Sequence, residues 1–131
     1  MTWVEVFNLF LVCHLTGDFI LQTEFQAVNK HGGLASDWKR AHALVVHILT
    51  YCLPFIPACA YVATQEGSLA WLVLALVAIT HLIQDDGRLL KRYVLRVKKT
   101  SPPPGSPLWI AVDQSFHIVV LFGLALIATA A

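Results

Sequence analysis

Apolar residues fall into four long runs along the chain, and polar segments separate these runs. Each run is close to the ~20 residues that a membrane-spanning helix requires. We therefore predict an all-α, polytopic membrane protein whose single domain, residues 1–131, is a four-helix transmembrane bundle. The predicted spans are residues 3–21, 42–62, 69–90 and 108–131.

The segments around the runs contain residues that begin, bend or end helices. Residues 102–105, three prolines and a glycine, end the third helical segment before the last run begins. Ser36 or Asp37 can cap the second helix. Pro54 and Pro57 lie inside the second run, where we expect them to kink the helix.

Composition favours a membrane protein over a soluble one. Hydrophobic residues make up 57% of the 131 residues and charged residues only 13%, against about 25% charged residues in an average soluble domain.

Cys13, Cys52 and Cys59 all lie in apolar runs and show no CxxC spacing. This pattern argues against a disulfide framework or a thiolate metal site, and we interpret the three as small buried residues.

All nine lysines and arginines lie in two windows, residues 30–40 and 88–99. The windows are the first and third connections, which lie on one side of a four-span protein. The positive-inside rule then predicts a multi-pass protein of the cell inner membrane with cytoplasmic basic loops and both termini outside. Residues 85–99 read as a basic amphipathic extension of the third helix, suited to anionic headgroups of the membrane lipid. A solvated helix end is the alternative, and we expect no nucleic-acid partner.

Three of the apolar runs carry a histidine and an aspartate four residues apart, a spacing that places both on one helix face. The remaining run carries one histidine. These seven residues are His14 and Asp18, His81 and Asp85, Asp113 and His117 in reverse order, and His47. In the predicted topology they share one depth, near the cytoplasmic side. We therefore expect them to converge inside the bundle.

Histidines and carboxylates on facing helices form the ligand sets of metal-binding bundles. Mixed nitrogen and oxygen ligands suit zinc first, with iron or manganese as alternatives, and the absence of thiolates disfavours a closed structural zinc site. Seven ligands suit two metals bridged by an aspartate, or one metal surrounded by His–Asp pairs. Asp85 and Asp113 are the candidate catalytic residues, since a spare carboxylate or histidine could act as a base. The alternative is a hydrogen-bonded network that packs the bundle without metal.

Other polar residues lie near the same layer. Gln22, Gln84 and Gln114 are candidate hydrogen-bonding neighbours of the ligands. His31 lies in the first connection, where we expect it to be solvated.

Four segments of the chain resemble, in order, the motifs of one family. They are HLTGDFILQTEF at residues 14–25, HILTYCLPF at 47–55, HLIQDD at 81–86 and VDQSFHIVVL at 112–121. They are similar to a small bacterial membrane family that is catalogued as domain of unknown function 3307.

The resemblance adds Gln22, Tyr51 and Gln114 to the histidines and aspartates of the site, and we expect these three to surround the ligands. Arg88 stands where the resemblance leads us to expect lysine. The family supplies no established activity, so the resemblance supports the site and the topology without deciding the function.

The leading hypothesis is an integral-membrane metalloprotein, a metal-dependent hydrolase that acts on a lipid-linked or phosphate-bearing substrate at the cytoplasmic leaflet. Two alternatives stay open. A cation- or proton-handling transporter component could use the same polar layer, and four short helices would then need to form a homo-oligomer. A non-catalytic membrane subunit would use the His–Asp network for packing alone.

Overall fold

The computed structural model describes residues 1–35 and 37–130, and within these residues it contains helices and connections but no strand. The helices are α1 (Trp3–Leu15), α2 (Glu24–Asn29), α3 (Trp38–Glu66), α4 (Leu69–Asp85), α5 (Arg88–Tyr93) and α6 (Pro107–Ala128). The π-helical segments Thr16–Leu21 and Val94–Lys98 continue α1 and α5. The predicted all-α class is confirmed.

Three of the four long helices begin at a side chain that caps them. The side chains of Thr2, Asp37 and Ser106 each accept a hydrogen bond from a backbone N–H in the first turn of α1, α3 and α6, which satisfies a donor that the helix itself leaves free. Asp37 is therefore the cap of α3. Its predicted alternative Ser36, and Ala131 at the end of the fourth predicted span, lie outside the described residues.

Helix α3 runs without interruption through Pro54 and Pro57, so the kink expected there stays a prediction. The Cys13 thiol donates to the Pro54 carbonyl across 3.3 Å. Cys13, Cys52 and Cys59 are all free thiols, and two of them are fully buried. The predicted burial therefore fits Cys13 and Cys59, whereas Cys52 is only partly buried.

The third predicted span is broken. Helix α4 ends at Asp85, and the segment from Arg88 to Lys98 leaves its axis by 53°. Gly87 makes the bend with a left-handed backbone, φ 73°, which glycine adopts at no steric cost. The expected basic extension is present, but the prediction that it simply prolongs α4 is wrong because Gly87 redirects the chain.

Large apolar side chains cover the outside of the bundle. Val12, Leu49 and Val119, for example, are 62%, 64% and 65% exposed, although residues of this kind are buried in soluble proteins. Three helices are long and apolar enough to cross a membrane, and the bent α4–α5 pair makes a fourth candidate. The architecture is thus compatible with a membrane protein.

Gly17 allows α1 to approach α3 closely. A Cβ atom at this position would lie 2.5 Å from Cδ2 and 3.2 Å from Cα of Tyr51. The second of these atoms belongs to the backbone, so a ring rotation alone would not make room. The contact brings the π-helical segment that carries Asp18 against the middle of α3.

We expect Gly17→Ala to lower the free energy of unfolding by about 1–3 kcal/mol, the usual cost of overpacking a close contact. Gly123→Ala is the matched control, because a Cβ there meets open space and alanine favours a helix over glycine. It should leave stability unchanged or raise it. Thermal unfolding in detergent, followed by circular dichroism, measures both variants. Equal effects of the two substitutions would contradict the close contact at Gly17.

Candidate metal centre

Side chains from α1, α3, α4 and α6 meet at the end of the bundle that lies next to Lys30. All seven residues predicted from the histidine and aspartate spacing are there. Asp113 is only partly buried, and the other six are buried, namely His14, Asp18, His47, His81, Asp85 and His117.

Asp18, His47, His81 and Asp85 offer four ligand atoms that all lie within 4.8 Å of one another. The two histidine Nε2 atoms are 3.1 Å apart. Asp18 Oδ1 lies 3.3 and 3.2 Å from them, and Asp85 Oδ2 lies 2.7 and 3.2 Å from them. A tetrahedral zinc ion with bonds of 2.0–2.1 Å holds its ligand atoms about 3.3 Å apart. The spacing therefore suits one four-coordinate divalent ion.

Asp85 also belongs to a second ligand group with Asp113 and His117. Its other oxygen, Oδ1, lies 3.4 Å from His117 Nε2. His117 Nδ1 donates to the Asp113 carbonyl across 2.8 Å, so in the neutral ring Nε2 carries no proton and can bind a cation. Asp85 thus stands between the two groups, in the position of a bridging carboxylate.

His14 lies within the cluster, but both of its ring nitrogens are engaged. Nε2 lies 2.8 Å from Gln114 Oε1 and Nδ1 lies 3.0 Å from Tyr51 Oη. The amide oxygen can only accept, so Nε2 carries the proton and Nδ1 accepts from the Tyr51 hydroxyl. In this arrangement His14, predicted as a metal ligand, has no free lone pair and instead orients Tyr51 and Gln114.

Of the three residues expected around the ligands, Tyr51 and Gln114 contact the cluster directly, and Gln22 contacts Lys30 beside it. The Tyr51 ring stacks on the His81 ring, with centroids 3.4 Å apart and planes 7° apart. Gln114 Nε2 donates to Asp18 Oδ2 across 3.1 Å. Gln22 Oε1 accepts from Lys30 across 2.6 Å. Each of these contacts holds a charged or ligating side chain in place.

Lys30 is the site residue that the sequence analysis missed. It is 7% exposed, and its Nζ donates to Asp85 Oδ2 across 2.7 Å and lies 3.4 Å from His47 Nε2. In the sequence Lys30 belongs to the first basic window and bears only on topology. The signal that could have identified it is physical, since buried carboxylates in an apolar bundle require a nearby cation.

The cluster has more negative than positive charge. With neutral histidines and ionised carboxylates, Asp18, Asp85 and Asp113 contribute −3 and Lys30 contributes +1, which leaves −2. Among the described residues, Asp18 Oδ1 in the first ligand group, and Asp85 Oδ1 and His117 Nε2 in the second, belong to the buried polar atoms that have no hydrogen-bond partner, as do Nδ1 of His47 and of His81. One divalent ion would balance the formal charge, and an ion in either group would give the atoms of that group a partner. The residues present therefore fit a metal.

The connection that carries Lys30 is fixed to the end of α4. The backbone carbonyl of Asp86 accepts from the Gly32 N–H across 2.7 Å, and its side-chain Oδ1 accepts from the Leu34 N–H across 2.9 Å. His31, which we expected to be solvated, instead packs edge-on against Trp109, with ring centroids 5.6 Å apart. Burial, with the nearby charge of Lys30, lowers the pKa of His31 from its ordinary value. His31 is thus a neutral packing residue at pH 7.

A cavity of about 320 Å³ opens onto the cluster. Its polar lining consists of Asp18, Gln22, Lys30, His31, Asp113 and Gln114. The buried ligand groups are therefore connected to a space that is large enough for a small ligand.

Fold and site together define the class: an all-helical bundle of apolar helices with a buried His/Asp cluster that could hold a metal ion. Over residues 6–131 the chain matches the family model described as protein of unknown function DUF3307. The chain belongs to this family, which confirms the resemblance. No curated protein and no solved structure matches this chain.

We expect Lys30→Met to lower the free energy of unfolding of the metal-free protein by about 3–5 kcal/mol, because Asp85 would lose its cation and remain buried. Lys98→Met is the matched control, since Lys98 is exposed, and it should change little. Denaturant unfolding in the presence of a chelator measures both. Similar, small effects of the two substitutions would contradict the role of Lys30 as counter-ion.

Proposed function

We propose that this chain is an integral-membrane metalloprotein that hydrolyses a lipid-linked or phosphate-bearing substrate. The observation that carries the proposal is the convergence of Asp18, His47, His81 and Asp85 on one point with the spacing of a tetrahedral ion. Zinc fits this ligand set first, and iron or manganese would use the same donors.

The second ligand group extends the proposal to a two-metal site. Asp85 would bridge an ion in the first group to one held by His117 and Asp113. Bound divalent ions supply hydroxide from water near neutral pH and polarise a phosphoryl oxygen. Two ions would change the formal charge of the cluster from −2 to +2, because each adds two charges. A phosphate dianion would balance that charge, which is the support for a phosphate-bearing substrate.

Of the two candidate catalytic carboxylates, Asp113 has the better position for a base when only the first group holds an ion. Its side chain is 17% exposed and lines the cavity, so it can pass a proton to solvent. Asp85 is 1% exposed and lies against Lys30. We therefore assign Asp85 to holding the ligand groups together and Asp113 to proton transfer.

We further propose that the four apolar segments cross the cell inner membrane, with both basic windows in the cytoplasm. Lys30 belongs to the first window and lines the cavity, which supports a substrate that arrives from the cytoplasmic leaflet. Anionic headgroups would be drawn to the exposed lysines and arginines of α5.

A second candidate function is favoured by Lys30. Its ammonium group already contacts Asp85 Oδ2 across 2.7 Å, so a His–Asp–Lys network could hold the bundle together without metal. The protein would then be a non-catalytic membrane subunit. The two candidates differ in how stability responds to metal and chelator.

We expect purified wild-type protein to hold stoichiometric zinc, iron or manganese and to lose thermal stability on chelation. Asp85→Asn keeps the shape but removes the anion, and should lower metal affinity by more than the roughly 10–100-fold that loss of a ligand's hydrogen-bond partner costs. Glu24→Gln, at an exposed acid, is the matched control. Elemental analysis and chelator competition measure the affinities. Metal-free wild-type protein with full stability, indifferent to added metal, would leave only the packing network.

Topology gives a separate test, with single cysteines at the exposed positions Ala35 and Ser68. A membrane-impermeant maleimide should label Ser68→Cys in intact cells and Ala35→Cys only after permeabilisation, because the basic connections face the cytoplasm. The chain with its three native thiols alone is the control for background labelling. Labelling of Ala35→Cys from outside would reverse the proposed orientation.

A further inference from the structure

Asp113 also lines a second space, an apolar cleft. It has a volume of about 310 Å³, at the lower end of the ~300–1,000 Å³ range of ligand pockets. Its lining consists of Gln84, Leu89, Leu90, Tyr93, Asp113 and Phe116. Gln84, which the sequence suggested as a neighbour of the ligands, thus lies in this cleft.

The bend at Gly87 accounts for the cleft. Because α5 leaves the axis of α4 by 53°, a space opens between α5 and α6. The rings of Tyr93 and Phe116 meet edge-on with centroids 4.9 Å apart and form one wall of this space. Leu89 is 57% exposed and Phe116 is 39% exposed, so the cleft is open at the apolar outer surface of the bundle. A hydrocarbon chain could enter it sideways from a bilayer.

Asp113 lines both the cavity and the cleft, so the two spaces adjoin at this residue. The cavity is lined by Lys30 and by Asp18 of the first ligand group, whereas most of the lining of the cleft is apolar. Lys91 and Arg92 are exposed on α5 and add positive charge near the cleft. A molecule that fills both spaces needs an anionic head joined to a hydrocarbon chain.

We propose that the cavity and the cleft form one binding site for an anionic phospholipid of the surrounding bilayer. Its phosphate group occupies the cavity near Lys30, and one acyl chain occupies the cleft along Leu89. Asp18 and Asp113 repel a phosphate group unless a cation lies between them and it, so the headgroup half of this site rests on the proposed metal centre. The acyl-chain half depends only on the shape and apolar lining of the cleft.

Photolabelling in phosphatidylcholine nanodiscs tests the acyl-chain half. The probe is a phosphatidate with a diazirine near the middle of one acyl chain, added as a minor component. Adducts should concentrate on the α5 peptide that contains Leu89 and on the α6 peptide that contains Phe116. Leu89→Trp fills the cleft from an exposed position and should reduce these adducts about tenfold, since the acyl chain of the probe loses its pocket. Leu72→Trp, at an equally exposed leucine of α4, is the matched control and should leave them unchanged.

Comparison of two lipid headgroups tests the headgroup half of the site. A phosphatidylcholine probe with the same acyl chain should label the cleft of the metal-loaded protein about tenfold less than phosphatidate does, because its zwitterionic headgroup has no net negative charge and its bulky choline must also fit into the cavity. Chelation should remove most of that preference while adducts at the cleft persist. The metal content of each preparation is measured in parallel, so a failure of the metal proposal is seen directly.

The outcomes separate the two proposals. Labelling spread evenly over all exposed helices and insensitive to Leu89→Trp would mean bulk bilayer lipid only, and it would overturn this inference even if metal is bound. Equal labelling of the metal-loaded protein by both probes would also overturn this inference. Phosphatidate-selective, Leu89→Trp-sensitive labelling of a protein that binds no metal would support the lipid site and overturn the metal centre.

Discussion

The structure depends on how Asp85 is compensated. This carboxylate is 1% exposed, and a lone charge buried in this way would cost several kcal/mol, by the order of magnitude that applies to ions out of water. One of its oxygens faces Lys30, His47 and His81, and the other faces His117. These partners come from the first connection, α3, α4 and α6. One buried anion therefore ties together three helices and the connection that follows α2.

Close packing at two glycines brings the elements of the site together. At Gly17 the absence of a side chain lets the segment with Asp18 rest against Tyr51. At Gly87 a side chain would collide with the ring of His31, with its Cβ 2.8 Å from Nδ1, so His31, the neighbour of Lys30 in the first connection, would have to shift. The same glycine bends the chain and opens the cleft beside α6. Small residues thus control both the charge balance of the site and access to it.

The sequence predicted the parts of the site that follow from helical periodicity. A histidine and an aspartate four residues apart must share a helix face, and the positive-inside rule aligned the pairs at one depth. Helical periodicity does not predict which ring nitrogens face the other ligand atoms, so His14 and His81 were both predicted as metal ligands although their ring nitrogens have different partners. The sequence also did not indicate the role of Lys30 as counter-ion or the break at Gly87, because both depend on how the first connection docks. Such long-range contacts leave no periodic pattern in a single sequence.

Lys30 and a bound metal ion would compete for the same negative charge, and this competition relates the two candidate functions. A cation in the first ligand group would share Asp85 Oδ2 with an ammonium that lies 2.7 Å from it, and two positive charges at that separation repel each other. Metal binding would therefore favour a position of the lysine away from Asp85, toward the cavity that it already lines. There its charge would face an anionic ligand. The contact that stabilises the metal-free bundle would thus supply a binding group once the metal is present.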